Sequence, residues 1–179
     1  VKGIMTLLRA MEKTPQTHLY VAGSGELEPE MRQFIADRGL SNVTLLGHLK
    51  TDELQSLVQR ALANILPSEW DENYSATLRE SLACGTPVIG SNIGGIPEQV
   101  TDGWNGYLFE PGNAEELAEK IQRLVADPAL AVELGRRGRR QVEIVNSPET
   151  HYRQVNEVYE NLLRGEPVSQ PAPAVVPAL

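Results

Sequence analysis

Short β-rich runs alternate with amphipathic stretches along the first two thirds of this chain, and that alternation restricts its fold more than any other feature. Val1, Ile4, Met5 and Leu8 recur at helical spacing, which predicts an opening helix through Lys13, and residues 17–22 then read as a strand. After Gly23-Ser24-Gly25 comes a helix with Pro29 in its first turn and Gly39 as its stop. Residues 43–46 are a short apolar strand. Residues 51–61 are a helix capped by Thr51, with Leu54, Leu57, Val58 and Ala61 on one face, and residues 62–66 are strand again. A helix over 77–84, stopped by Gly85, and strands at 88–90 and 106–109 complete the pattern. Strand and helix in alternation predict an α/β fold, a parallel sheet with helices on both faces. Three helices follow with no strand between them, over residues 113–126, 127–144 and 147–163, and form a C-terminal helical extension. The expectation is one domain over residues 1–164. A tail over 165–179 with four prolines reads as disordered or extended linker. The first residue is Val1 and no capping residue precedes the apolar period, so the chain is expected to be part of something longer.

Charge narrows the partners. The chain has 179 residues with 16 Lys and Arg against 24 Asp and Glu, a formal net charge of −8. That argues against nucleic acid, whose binding needs a basic face to displace counterions. Cys84 is the only cysteine, so no internal disulfide can form, and a cytoplasmic setting is the expectation. The longest apolar runs fall far short of the roughly 20 residues that span a bilayer.

In a doubly wound sheet, ligands bind outside the carboxyl ends of the strands, so the loops after each strand are where chemistry should lie. These read Gly23-Ser24-Gly25-Glu26, Gly47-His48-Leu49-Lys50, a long acidic loop from Pro67 to Ala76, and Ser91 to Gly95. The first is no dinucleotide fingerprint, because Glu28 stands where the third glycine of GxGxxG would be. There is no Asp-x-Asp pair, and His18, His48, His151 and Cys84 are dispersed without metal-ligand spacing; no metal and no cofactor are expected. The third loop runs into a helix starting near Ser75 to Thr77, whose free backbone N–H groups suit phosphate. Glu72 and Glu80 flank that start; taken alone, Glu80 reads as a solvated helix residue and Glu72 as one of several loop acids, since Leu78, Leu82 and Ala83 serve the core. Carboxylates repel phosphate but accept paired hydrogen bonds from a sugar diol, so a phosphate seat between two of them describes a nucleotide-sugar site.

The residues Pro67-Ser68-Glu69-Trp70-Asp71-Glu72-Asn73-Tyr74-Ser75, Glu80-Ser81-Leu82-Ala83-Cys84-Gly85-Thr86-Pro87, Gly94-Gly95-Ile96-Pro97-Glu98 and Asn105-Gly106-Tyr107-Leu108 resemble the donor-binding half of family 4 retaining glycosyltransferases. The resemblance runs from Lys2-Gly3 to about Leu163 and includes the paired glutamates of that family, Glu72 and Glu80. It implies the C-terminal Rossmann-like domain of the GT-B fold, binding a UDP-, GDP- or ADP-sugar. By resemblance, Glu72 lies near the hydroxyls of the transferred sugar, Glu80 holds the ribose diol, and Lys2 neutralises the diphosphate. Asn73, Tyr74, Ser75, Ala76 and Thr77 match the turn and helix start whose amides hold that diphosphate, with Asn-Tyr-Ser where the family often has Pro-Phe-Gly. Gly23, Gly25, Gly47, His48 and Leu49 match loops near the nucleoside. An N-terminal acceptor-binding domain and the first strand of the donor domain are expected ahead of Lys2, and the vacant sheet position would invite self-association.

Gly94 and Gly95 directly follow a strand and would let backbone approach a ligand closely. Trp70 and Trp104 are single aromatics in loops, for which packing is the expected role. Arg136, Arg137, Arg139 and Arg140 could touch anionic lipid, though a solvated helix face offsetting nearby acids is preferred. Two other functions fit the same residues: a non-catalytic nucleotide-binding module and a sugar-nucleotide epimerase.

Overall fold

The computed structural model describes residues 2–167, so most of the expected tail lies outside the described residues. The elements run α1 (Ile4–Glu12), β1 (Leu19–Ala22), α2 (Glu28–Arg38), β2 (Val43–Gly47), α3 (Thr51–Arg60), β3 (Asn64–Leu66), α4 (Ala76–Ala83), β4 (Val88–Ser91), β5 (Gly106–Phe109), α5 (Ala114–Ala126), α6 (Pro128–Val145) and α7 (Pro148–Arg164). The expected α/β architecture and helical extension are both present. The strands at 17–22 and 62–66 are shorter than expected, because ladder pairing begins only at Leu19, whose N–H donates to Asn42 O, and at Asn64, whose N–H donates to Pro87 O.

Among the described residues the three strand pairings, β1 with β2, β3 with β4 and β4 with β5, are parallel. β4 is the central strand of its ladder, with Ile89 opposite Ile65 on one side and Tyr107 on the other. All four of its residues are buried, and successive ones face opposite layers. Ile89 joins Tyr107 and Phe109 in a cluster with Leu7 and Met11 of α1 and Leu117, Ile121 and Leu124 of α5. Val88 joins Leu78 and Leu82 of α4, with Ile96 and Val100, on the opposite face. The apolar run of β4 is thus the signature of a strand covered on both sides.

The sheet comes in two parts. β1 pairs with β2, and β3 pairs with β4 and β5, but β1 and β3 are not hydrogen-bonded to each other. Between them lies a groove of about 1410 Å³, lined on one side by Leu19 and Val21 and on the other by Ile65 and Leu66, with Leu7 and Met11 of α1 beneath. Two buried polar atoms on its walls, Thr17 Oγ1 and Asn64 Nδ2, have no hydrogen-bond partner among the described residues.

Local chemistry fixes how α1 enters. Gly3 precedes the helix with φ 64°, and a Cβ there would stand 1.6 Å from the carbonyl oxygen of Pro67, so only glycine permits the approach. The start of α1 is thereby pressed against the end of β3. At its other end, Asn42 Nδ2 donates to the carbonyls of Met11, Thr14 and Thr17 at 3.1–3.2 Å and ties the α1–β1 turn to β2. No helix of the described residues is long and apolar enough to cross a membrane.

Leu117 is fully buried where α5 meets β4 and β5, whereas Val132 on α6 is 71% exposed. Leu117→Ala should therefore cost about 2–5 kcal/mol by chemical denaturation, and Val132→Ala no more than about 0.5 kcal/mol.

Candidate functional site

The chain leaves β3 at Leu66 and crosses the carboxyl edge of the sheet before entering α4. This loop is held from three directions. Ser68, buried at its base, donates from Oγ to Glu72 Oε1 at 3.0 Å. Thr6 of α1 donates to Glu69 Oε1 at 2.6 Å. From behind, the N–H of Gly95 donates to the carbonyl of Glu72 at 2.6 Å. A Cβ on Gly95 would lie 1.8 Å from the Asn73 carbonyl oxygen, and one on Gly94 would lie 2.6 Å from that of Glu72. The backbone that Gly94 and Gly95 approach closely is that of the loop itself.

Glu72 is the centre of the arrangement. Its Oε1 accepts from Lys2 Nζ, from Ser68 and, at 3.2 Å, from Trp70 Nε1. Lys2 is close because Gly3 is pressed on Pro67, and its Nζ also lies 5.6 Å from the centre of the Trp70 ring. The hydrogen bond from Lys2 holds the Glu72 carboxyl below its ordinary value of 4.5; burial opposes this, and the donors Trp70 and Ser68 reinforce it. Trp70 also departs from expectation, since its side chain is half-exposed and hydrogen-bonded rather than packed into the core.

Ser75 caps α4, its Oγ accepting from the N–H of Leu78 at 3.3 Å. The N–H groups of Ala76 and Thr77, in the first turn, have no acceptor within the helix and sit at its positive end. Glu80 is exposed one turn on, and Lys2, Glu72, Ser75, Thr77 and Glu80 all line the same groove. Tyr74 turns the other way. Its hydroxyl accepts from Asn146 Nδ2 at 2.9 Å at the α6–α7 junction, and its ring carries the Arg79 guanidinium at 4.4 Å. Asn73 is an exposed loop residue.

The remaining expected residues gather at the carboxyl ends of β1 and β2. Gly23 and Gly47 meet at the ends of β1 and β2, the N–H of Gly23 donating to the Gly47 carbonyl at 2.7 Å. Gly25 and His48 are exposed beside them, and Leu49 is half-buried. The structure thus brings two groups together, one on each half of the sheet. Ser68 and Trp70 are the contributors that sequence reasoning missed: they stand four and two residues before Glu72 in an irregular loop, where no periodicity reveals which side chains converge. The arginines of α6 behave as a solvated face, with Arg137 paired to Glu133 and Arg139 to Glu143.

A cation and free helix amides can take an anion, while the flanking carboxylates can accept hydroxyl donors. The fold and this site define one half of a GT-B glycosyltransferase. The chain belongs to the glycosyl transferases group 1 family, which residues 1–141 match. It is 32% identical to the glycogen synthase of Mycobacterium tuberculosis over 180 aligned positions, 98% of this chain and 43% of that relative. Among solved structures it is similar to sucrose-phosphate synthase from Thermosynechococcus elongatus, at 32% identity and a TM-score of 0.81 over 92% of this chain and 43% of that one. It is also similar to HepE of Anabaena in complex with UDP, at 25% identity and a TM-score of 0.82 over 89% of this chain and 45% of that one. The chain therefore spans less than half the length of these relatives.

Because the folded carboxyl of Glu72 is depressed, the unfolded chain binds its proton more readily as pH falls. Stability owed to Glu72 should be fully present above pH 4.5 and lost as pH drops through the lowered value. Urea midpoints measured from pH 7 to pH 3 should show wild type exceeding Glu72→Gln at neutral pH, with the gap closing only in acid.

Proposed function

We propose that this chain is the donor-binding half of a retaining, metal-independent hexosyltransferase of family 4, acting on a nucleoside diphosphate sugar. The observation that carries the reading is the convergence of Lys2, Glu72, Glu80 and the amino end of α4 on one groove at the carboxyl edge of the sheet. In this reading the diphosphate sits on the Ala76 and Thr77 amides and draws Lys2. Glu80 accepts the ribose diol and Glu72 the hydroxyls of the transferred sugar. The bond from the anomeric carbon to the diphosphate oxygen breaks as that carbon bonds to the acceptor oxygen on the same face. The proton of the acceptor hydroxyl passes to the departing diphosphate. Lys2 and the helix start stabilise the charge that gathers on the leaving group, so no protein nucleophile is needed. The group of Gly23, Gly25, Gly47, His48 and Leu49 would then lie near the base.

The two-part sheet supports the further reading that a strand ahead of Lys2 fills the part of the groove between β1 and β3 and leaves its end at Lys2, Glu72 and Glu80 to the donor, and the span of 43% of the glycogen synthase relative supports a preceding acceptor-binding domain. The chain by itself should then transfer no sugar, although it can still bind donor, and the unfilled groove invites pairing with a second copy. A cytoplasmic site of action rests on the lone cysteine, and contact with a membrane surface through the α6 arginines would come second to their pairing with glutamates.

Calorimetric titration of UDP and UDP-glucose, with and without EDTA, tests the reading. Binding should survive EDTA. Glu80→Ala should weaken both ligands by about 1.5–3 kcal/mol, the worth of a hydrogen bond to a charged group. Glu72→Ala should weaken only the sugar-bearing form. A magnesium requirement, or equal losses for both ligands in Glu72→Ala, would refute the assignment.

A further inference from the structure

Trp70 belongs to neither hydrophobic cluster and is 50% exposed, so burial does not account for its position. What it does contact is the site: its Nε1–H reaches Glu72 Oε1 at 3.2 Å, and Lys2 Nζ lies 5.6 Å from its ring centre. We propose that Trp70 is a positioning residue for Glu72, whose indole N–H, with the Ser68 hydroxyl, holds the carboxylate in place when Lys2 is drawn away by a donor diphosphate. The inference rests on the donor-site reading above.

Three donors converge on one oxygen of Glu72, and among the described residues none reaches Oε2, which leaves that atom for a hydroxyl of the ligand. The three are not equivalent. Lys2 is a flexible cation, 66% exposed, and a diphosphate competes for it directly. Ser68 is buried and stays, but a hydroxyl rotates and holds a carboxylate from one direction only. Indole is planar and can only donate, so it fixes the second direction and favours the ionised carboxylate. Its ring face also offers the ammonium of Lys2 a resting place that does not oblige it to remain on Glu72. Trp70 therefore separates the two tasks of Lys2, neutralising Glu72 in the empty site and the diphosphate in the filled one.

The test uses the whole 179-residue chain, which has two tryptophans, Trp70 and Trp104, so two indole N–H resonances are expected in a nitrogen-15 spectrum. Trp70→Phe assigns them. The Trp70 resonance should titrate with a midpoint below 4.5, the ordinary value for Glu72, and lose that titration in Glu72→Gln, whereas Trp104 should be unmoved. With UDP and UDP-glucose as probes, Trp70→Phe should lower the ratio of their affinities three- to tenfold in the direction of UDP, as Glu72→Ala does. An indole resonance indifferent to Glu72→Gln overturns the proposal. So does an unchanged ratio in Trp70→Phe while Glu72→Ala shifts it, and that outcome leaves the donor-site reading standing. A ratio unchanged in both variants removes the donor-site reading and the proposal with it.

Discussion

The close approach of Gly3 to the Pro67 carbonyl is the contact on which the site depends. It places the start of α1 against the end of β3 and so brings Lys2 beside Glu72, which lies 70 residues further along the chain. A side chain at Gly3 would stand 1.6 Å from the Pro67 carbonyl oxygen and so force the two backbones apart, disturbing the approach that sets Lys2 beside Glu72. Thr6 adds a second link one turn into the helix by donating to Glu69. The first helix and the loop after β3 consequently behave as one body, with α4 attached at its far end through the Ser75 cap.

Within that body the electrostatics are balanced for exchange rather than for permanence. The pair of Lys2 and Glu72 is half at the surface, and surface ion pairs contribute roughly 0–1 kcal/mol. In the proposed reading, an incoming diphosphate would bring more negative charge than one carboxylate, together with acceptors for the amides of α4, and Lys2 would change partners at little cost. Glu72 cannot follow it, because Ser68, Trp70 and the Gly95 amide hold its side chain and backbone where they are. Fixed carboxylate and mobile cation are what a site needs if one group is to read a sugar and the other to meet the charge of its leaving group.

The alternation of strands and helices was legible because each element leaves its own period in the chain, and the polar residues Ser75 and Asn113 stand at the caps of α4 and α5, whereas the cap position of α3 is Lys50 and the expected cap Thr51 is the first residue of the helix. Glu72 and Glu80 were paired through the family resemblance, since the residues by themselves read equally as a loop acid and a solvated helix position. The convergence of Ser68 and Trp70 on Glu72 left no such trace, since the loop has no period and exposed tryptophans are uncommon enough to suggest packing. Gly94 and Gly95 were legible as sites of close approach but not as to what approaches, which is set by a loop about twenty residues away. The division of the sheet was hidden for the same reason: strand pairing is a relation between distant segments, and β1 and β3 each read as an ordinary short strand.

That division also explains a gradient of burial. β4, with a neighbour on both sides and helices on both faces, is wholly buried, while β1 alternates between half-buried and exposed and β3 is half-buried throughout. Their composition nevertheless suits an interior, for Leu19, Val21, Ile65 and Leu66 are as apolar as the residues of β4. Thr17 and Asn64, at the same end of the two strands, each keep a buried polar atom without a partner among the described residues, where a net penalty of about 1–3 kcal/mol per group is usual. An extended segment between β1 and β3 would satisfy both kinds of deficit at once, supplying backbone donors and acceptors to each strand edge and apolar side chains to each face. It would run parallel to both, because a right-handed crossover through α1 returns the chain to β1 in the same direction. Its carboxyl end would then emerge at Lys2, so the segment that completes the sheet would also set the position of the cation in the site.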